Sequence, residues 1–557
     1  MPNDTVQMIR GLVATGVLRP IPPRRLLRLV TEARRWGPTA AAAAVTSAVR
    51  HPREPAVVDE AGTLDWEALD RRTNAITHGL RALGIGEDDV VGVLCRNHRG
   101  FVEASVVAGK LGADAVLLNT GFSGPQLGDV ARREGVTVLF HDQDFAQEVA
   151  GSGLDGRTTR FVAWQQPDPA VAAPAGGAGA TTFDELARSG RTDLPPAPHR
   201  HSNVVILSSG TTGTPKGTRR TIDRSSTRDG AKGSPLGILA RIPLRSRART
   251  LISAPLFHSW GLSHMMVAGL LSSPMVLRVR FDAEDVLATI ERERVDTLIA
   301  VPAMLQRILD LPADVRSGYD TSSLRVVALS GSALPGGLAT RWMDAFGDTL
   351  YSLYGSTEVA GVAVAGPADL RAAPDTAGPV LPGIDVRILK EDGTEAAVGE
   401  AGGIYVRSSM VFDGYTGGGS KQVVDGYMST GDVGHLDRAG RLFVGGREDD
   451  MIVSGGENVF PQEVEEVILR LPGVKEAIVV GVPDEQFGQR LAALVVPEQA
   501  DGLTPDEVRQ WVRDNLARHK VPRTVELSDE LPRNPTGKVL RRVVAERLGG
   551  ASDGTPG

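Results

Sequence analysis

Ser208-Ser209-Gly210-Thr211-Thr212-Gly213-Thr214-Pro215-Lys216-Gly217 follows directly on the β-prone run Val204–Leu207. The glycines permit unusual backbone angles and let N–H groups come close to an anion. Serines and threonines add hydroxyl donors, and Lys216 adds a positive charge. Phosphate is the natural guest of such a loop. The spacing is not that of the G-x-x-x-x-G-K-[ST] nucleotide motif, because Pro215 stands where that motif needs its second glycine.

On either side of this loop the chain alternates between strand-like and helix-like segments. Asp89–Cys95, Thr137–Phe140, Asn203–Leu207, Thr297–Val301 and Leu324–Leu329 are short β-rich runs, and Asp282–Arg294 is one of the helical patterns between them. The alternation predicts a layered α/β fold. Near Gly445–Asp450 the character changes. Strand-like Leu442–Val444 and Met451–Val453 flank that point, and Pro461–Leu471 then carries Val464, Val467, Ile468 and Leu471 on one helical face. The C-terminal part reads as a compact α+β unit.

Bulk properties narrow the function. At 557 residues the chain exceeds one ordinary core, so at least two domains are expected. Hydrophobic residues make up 41% and charged residues 23%, as in a globular protein, and the net charge of -7 argues against nucleic acid as a partner. The one cysteine, Cys95, precludes an intramolecular disulfide, fits a reducing cytosol and reads as a buried structural thiol. There is no zinc-type Cys/His cluster, no membrane-spanning run and no signal-peptide order of charge and apolar residues. Residues 166–181 and 191–200 read as exposed loops.

The N-terminal segment is different. Met8, Ile9, Leu12, Val13, Val17 and Leu18 form an apolar stripe, prolines break it at Pro20, Pro22 and Pro23, and Leu26, Leu27 and Val30 resume it among many arginines. This is a basic amphipathic arm. Two readings fit: a helix packed on the main domain, or a contact with a membrane surface. A second basic stretch, Arg219–Arg249, reads as a solvated loop or as a partner for phosphates or an acidic protein.

The decapeptide resembles the phosphate loop of adenylate-forming enzymes, which include acyl- and aryl-CoA synthetases, peptide-synthetase adenylation domains and firefly luciferase. Further motifs recur in the family's order. Tyr354-Gly355-Ser356-Thr357-Glu358 resembles the motif whose tyrosine stacks on adenine, whose threonine meets the α-phosphate and whose glutamate holds Mg²⁺. Ser330-Gly331-Ser332-Ala333-Leu334-Pro335 resembles the adenine-side loop, Ser429-Thr430-Gly431-Asp432 the ribose site, and Gly445-Gly446-Arg447 the segment before a hinge at Asp449. Pro532-Arg533-Asn534-Pro535-Thr536-Gly537-Lys538 matches the family's mobile lysine motif.

The resemblance implies an α/β architecture: a large N-terminal domain of layered subdomains and a small mobile α+β C-terminal domain. It implies an adenylation domain at 51–446, a hinge at 447–450 and a mobile domain at 451–548, while the residues themselves mark the arm at 1–50 and a disordered tail at 549–557. Catalytic roles fall to Lys538, Glu358, Thr357 and Thr211, with Glu358 as the metal ligand. Ser208, Ser209, Gly210, Thr212, Gly213, Thr214, Lys216, Gly331, Ser332, Tyr354, Gly355, Asp432 and Arg447 would hold the nucleotide. Gly455 and Gly456 would line a tunnel for coenzyme A.

His258 and Trp260, with Gly331, would border the acid pocket, Trp260 as a gate to an apolar tunnel or as plain core. After Lys216-Gly217 the family's usual apolar residue is replaced by Thr218 and then Arg219-Arg220. The implied reaction is activation of a fatty acid by ATP and Mg²⁺ to acyl-AMP, then transfer to coenzyme A, in the cytoplasm or at a membrane periphery. Delivery of an acyl or aryl acid to a carrier protein is the alternative.

Overall fold

The computed structural model describes residues 10–17, 22–154, 156, 158–165, 181–208, 216–219, 236–454, 457–484, 488–499, 502–534 and 537–549. The strand-like runs form two eight-stranded, largely parallel sheets. One sheet carries Val90–Leu94, Asp114–Leu117, Val138–Asp142, Thr159–Trp164 and Val204–Ser208. The other carries Pro55–Asp59, Thr250–Ile252, Thr297–Ala300, Val326–Leu329 and Leu350–Ser356. Their central strands are buried on both faces, which is why they read as continuous apolar runs without alternation.

Helices Ala40–Arg50, Trp66–Ala82 and Arg99–Leu111 fill the space between the two sheets, and one hydrophobic core joins all three layers. Two further cores cover the outer sheet faces. Within the middle layer Lys110 is fully buried, and its ammonium donates to Asp70 Oδ1 at 2.7 Å, Thr73 Oγ1 at 2.8 Å and Asn74 Oδ1 at 2.6 Å. Such a cation is tolerated because its protons are met, and deleting a partner would cost about 3–5 kcal/mol. Ala40–Arg50 falls within the expected arm, yet Ala41, Ala44, Val45 and Ser47 are buried in the large domain.

A third, six-stranded antiparallel sheet is built from Thr376–Pro379, Asp385–Leu389, Gly402–Arg407, Tyr427–Leu436 and Arg441–Arg447, with Val423–Val424 at its side. The small domain follows the short turn Glu448–Asp450, where the hinge is expected. Its five-stranded sheet, centred on Val474–Asp484 and Gly488–Pro497, is covered on one face by helices Pro461–Leu469 and Pro505–Asn515 and on the other by Arg541–Gly549. Residues 550–557 of the expected tail lie outside the described residues.

Candidate functional site

The phosphate-loop decapeptide spans the turn of a β-hairpin. Val204–Ser208 runs up the sheet and Lys216–Arg219 returns antiparallel to it, with Ser208 opposite Lys216 and Ile206 opposite Thr218. Ser209, Gly210, Thr211, Thr212, Gly213 and Thr214 lie outside the described residues. Gly217 has no room for a side chain: an added Cβ would fall 2.5 Å from Thr416 Oγ1 and 2.8 Å from Val205 Cγ1. Thr218 is buried, and its hydroxyl donates to Ile206 O at 2.8 Å. This accounts for a threonine where an apolar residue is usual, since the added polar group is satisfied across the hairpin.

The strand Gly414–Tyr415 pairs with the returning arm, Tyr415 opposite Thr218. The Tyr415 ring lies 5.3 Å from Lys216 Nζ, and its phenol donates to Glu358 Oε1 at 2.9 Å. Burial and the Glu358 carboxylate push the Tyr415 phenol well up. Tyr415 therefore couples the loop lysine to the glutamate of the second motif. Little in the sequence signals it, because the contact depends on two strands distant in the chain.

Tyr354 and Gly355 end the strand Leu350–Ser356, Thr357 and Glu358 lie in the turn, and Ala360–Ala365 returns. Gly355 is required by contact: a Cβ there would lie 2.0 Å from Ala360 O. Glu358 N donates to Ser356 Oγ at 3.2 Å, and the Glu358 carbonyl accepts from Phe412 N at 2.7 Å, so the turn is held on both sides. The Tyr354 phenol donates to Asp432 Oδ2 at 2.6 Å. Asp432 and Arg447 face each other across Tyr427–Leu436 and Arg441–Arg447, with Arg447 Nη1 4.0 Å from Asp432 Oδ1. Burial raises the Asp432 carboxyl, while the Tyr354 hydroxyl and the Arg447 charge hold it down.

Lys538 arrives from the small domain. Its turn is closed by Asn534: Gly537 N donates to Asn534 O at 2.9 Å, Lys538 N to Asn534 Oδ1 at 2.9 Å, and Asn534 N to Lys538 O at 2.9 Å. Gly537 adopts φ +82°, a left-handed angle that favours glycine, and a Cβ there would sit 3.5 Å from Ala303 Cβ and Val301 Cγ2 of the large domain. The turn is thus docked on the large domain. Lys538 is open to the cleft but surrounded by protein. Its pKa is lowered by this partial desolvation and then by Arg447, against the opposing pull of Asp432, Glu358 and Asp450. Gly331 (φ +95°) and the exposed Ser332 follow the strand Val326–Leu329, and a Cβ on Gly331 would lie 3.6 Å from Cγ1 of the same Val301.

The segment Pro255–Gly261 is fixed by Asn97, which lies just beyond the strand Val90–Leu94 of the other large sheet. Asn97 Nδ2 donates to Ile252 O at 3.0 Å and Ala254 O at 2.9 Å, and Asn97 Oδ1 accepts from Leu256 N at 2.9 Å. His258 precedes the helix Ser259–Leu270. Its Nε2 is buried and meets no hydrogen-bond partner among the described residues. Burial, then the Lys538 charge, lowers its pKa to about 4.

Trp260 is buried, donates Nε1–H to Ala300 O at 3.0 Å, and meets His264 edge-on at 4.0 Å between ring centres. Of the two expectations for Trp260, this arrangement fits a fixed core wall. Gly455 and Gly456 lie outside the described residues. Asp449 lies in the turn Glu448–Asp450 between the domains.

Among the described residues no group of three or more His, Cys, Asp or Glu side chains comes together as a metal cage. Glu358, a single half-buried carboxylate at the cleft, fits Mg²⁺, which takes one or two protein carboxylates and fills its other positions with water and phosphate oxygens. No described helix is long and apolar enough to span a membrane.

A phosphate-loop hairpin, a Tyr–Asp–Arg cluster beside it and a lysine carried in by a separate small domain together define an adenylate-forming ligase. The chain belongs to the AMP-binding enzyme family: residues 45–416 match the AMP-binding enzyme model, and residues 463–538 match the model of the AMP-binding enzyme C-terminal domain. It is 35% identical to a feruloyl-CoA synthase of an Amycolatopsis species, over 89% of this chain and 96% of that one. It is 30% identical to a long-chain-fatty-acid–CoA ligase of Mycobacterium tuberculosis, over 87% and 93% of the two chains. In fold it is similar to the crystal structure of an anthranilate CoA ligase in complex with anthranoyl-AMP, with a TM-score of 0.80 at 24% identity, covering 92% of this chain and 97% of the other.

Proposed function

We propose that the protein activates an apolar, ring-bearing carboxylic acid with ATP, forming acyl-AMP and pyrophosphate, and then transfers the acyl group to coenzyme A with release of AMP. The observation that carries this reading is the position of Lys538. Lys538 and Arg447 bring two positive charges to one cleft, where anions can meet them. A carboxylate and a triphosphate are such anions.

In the first step Lys538 would bridge the substrate carboxylate and the α-phosphate, easing the approach of two negative groups and the charge that grows on the phosphorus oxygens. Arg447 and Lys216 would add positive charge, Asp432 would accept from the ribose hydroxyls, and Tyr354 would stack on adenine. Glu358 would hold Mg²⁺, which neutralises phosphate charge. Thr357 and Thr211 would donate to phosphate oxygens. A rotation about Asp449 would withdraw the lysine before coenzyme A enters past Gly455 and Gly456.

The choice of acid rests on Trp260 and His258. A tryptophan fixed by Ala300 and packed on His264 favours a short, walled pocket. The feruloyl-CoA synthase likeness supports the same choice. A fatty acid is the second reading, favoured by the apolar Met265, Met266 and Val267 further along the helix that carries Trp260 and by the long-chain ligase likeness.

Pyrophosphate release measured over a panel of hydroxycinnamic, arylacetic and fatty acids, with and without coenzyme A, tests the class, the acid and the acceptor. The expected result is release with ring-bearing acids and a thioester product. Preference for long alkyl chains would shift the assignment to the second reading. Transfer to a phosphopantetheinyl carrier protein but not to coenzyme A would replace the acceptor. No release with any acid would overturn the proposal.

A further inference from the structure

The helix Pro23–Trp36 carries an apolar strip turned away from the protein. Leu26 is 51% exposed, Leu27 70% and Val30 39%. At 3.6 residues per turn these three share one arc, opposite the arc of Leu29, Glu32 and Trp36 that faces the domain. The C-terminal half is clamped: Trp36 Nε1 donates to Glu32 Oε2 at 3.0 Å and Arg35 Nη2 to Pro195 O at 2.6 Å. Every residue from Pro22 to Arg28 is exposed, so the N-terminal half projects from the surface.

Charge accompanies the strip. Arg24, Arg25, Arg28 and Arg34 are exposed, while the helix's one acidic residue, Glu32, is turned inward onto Trp36. The helix is therefore cationic on a chain whose net charge is -7. A solvated face explains the arginines but leaves three large apolar side chains in water. A protein partner would need about 800 Å² from each side for a stable complex, more than two projecting turns present. A bilayer makes no such demand, because a short amphipathic segment sinks its apolar side chains into the headgroup boundary while its arginines meet lipid phosphates.

We infer that the helix Pro23–Trp36 docks the protein on an anionic lipid surface. The helix rests on Ala40–Arg50, which in turn holds the helix Ser259–Leu270 through Ser47 Oγ donating to Gly269 O at 2.7 Å. The lipid-facing element thus stands two helices from the segment assigned above to the acid pocket. That link to acid delivery rests on the proposed function; the docking does not.

The test is co-sedimentation of the full chain with vesicles of phosphatidylcholine alone or mixed equally with phosphatidylglycerol. Binding is expected to the mixed vesicles and to weaken with salt. The triple variant L26S/L27S/V30S and the double variant R24E/R28E should each lose binding about tenfold or more. Both variants should keep the wild-type rate of acid-dependent pyrophosphate release in vesicle-free buffer, which reports an intact fold. Wild-type protein remaining in the supernatant with anionic vesicles would overturn the inference, as would a triple variant that binds like wild type. A dimer that the triple variant dissolves, without any vesicle binding, would assign the strip to a second copy and equally overturn it. Loss of pyrophosphate release in the wild type would strike the proposed function and leave the vesicle result standing.

Discussion

Lys475 Nζ of the small domain lies 2.8 Å from Asp310 Oδ2 of the large domain. The pair joins the two bodies while Lys538 stands in the cleft, and a rotation about Glu448–Asp450 has to break it. Both side chains are partly exposed, so the contact contributes no more than about 1 kcal/mol. Lys475→Ala is expected to slow acyl-AMP formation about two- to fivefold and to leave thioester formation from supplied acyl-AMP unchanged. The swap of Lys475→Asp with Asp310→Lys should recover part of the loss. Equal slowing of both half-reactions would remove the pair from any role in domain placement.

Tyr415 offers a separable pair of effects. Its hydroxyl serves Glu358 and its ring faces Lys216. Tyr415→Phe keeps the ring and deletes one hydrogen bond to a carboxylate, a change of about 1.5–3 kcal/mol where the group stays desolvated. Acyl-AMP formation should fall about tenfold, with a raised requirement for Mg²⁺. Tyr415→Leu should cost more, because Lys216 then loses its ring partner as well. A Tyr415→Phe enzyme with wild-type rate and Mg²⁺ dependence would show the phenol to be structural only.

Tyr415 marks a limit of what could be read from the sequence. The layered fold was legible because buried parallel strands such as Val90–Leu94 and Val326–Leu329 are apolar on both faces. Helix Ala283–Glu293 was legible as the helical pattern Asp282–Arg294, and the structure caps it at both ends: Asp282 accepts from Glu284 N and Asp285 N, and Arg294 ends the helix at φ 50°. Tyr354, Asp432, Arg447 and Lys538, each singled out in the sequence, come together in the structure. Tyr415 and Asn97 did not stand out, because each acts by joining segments far apart in sequence, and one tyrosine or asparagine in a loop carries no periodic signal. The helix Ala40–Arg50 falls within the range assigned to the arm, and its alanines lack the bulk that marks a core helix. They are small because the helix packs closely: a Cβ on Gly109 would lie 2.9 Å from Ala41 Cβ, and one on Gly269 would lie 2.8 Å from Ala43 Cβ.

His264 sets an acid limit on stability. It is buried, its Nδ1 donates to Trp260 O at 3.1 Å, and burial lowers its pKa from 6.5 to about 4. The unfolded chain therefore takes up a proton near pH 6.5 that the folded chain refuses until about pH 4. The folded state is favoured above pH 6.5 and loses about 3 kcal/mol as pH falls from 6.5 to 4. Denaturant melts across that range should show the decline, and His264→Gln should flatten it by roughly one proton's worth. The same slope in variant and wild type would place the acid sensitivity elsewhere.

Glu466 gives the domain interface a dependence on pH of its own. It lies on the helix Pro461–Leu469 of the small domain, and its carboxyl is raised to about 7, first by burial and then by Asp375 of the large domain, with Arg470 opposing. Arg470 Nη2 also lies 3.6 Å from Asp375 Oδ2 across the same boundary. An acid raised in the docked arrangement binds its proton more tightly there than when released, so docking is favoured at low pH and weakens as pH rises from 4.5 through about 7. Acyl-AMP formation, which needs Lys538 in the cleft, should accordingly decline relative to thioester formation as pH rises toward 7 and level off above it. Glu466→Gln removes the charge without the side-chain volume and should hold the ratio of the two half-reactions constant from pH 6 to 8. A ratio in the variant that still falls through neutrality would mean that another group, not Glu466, governs the closing of the domains.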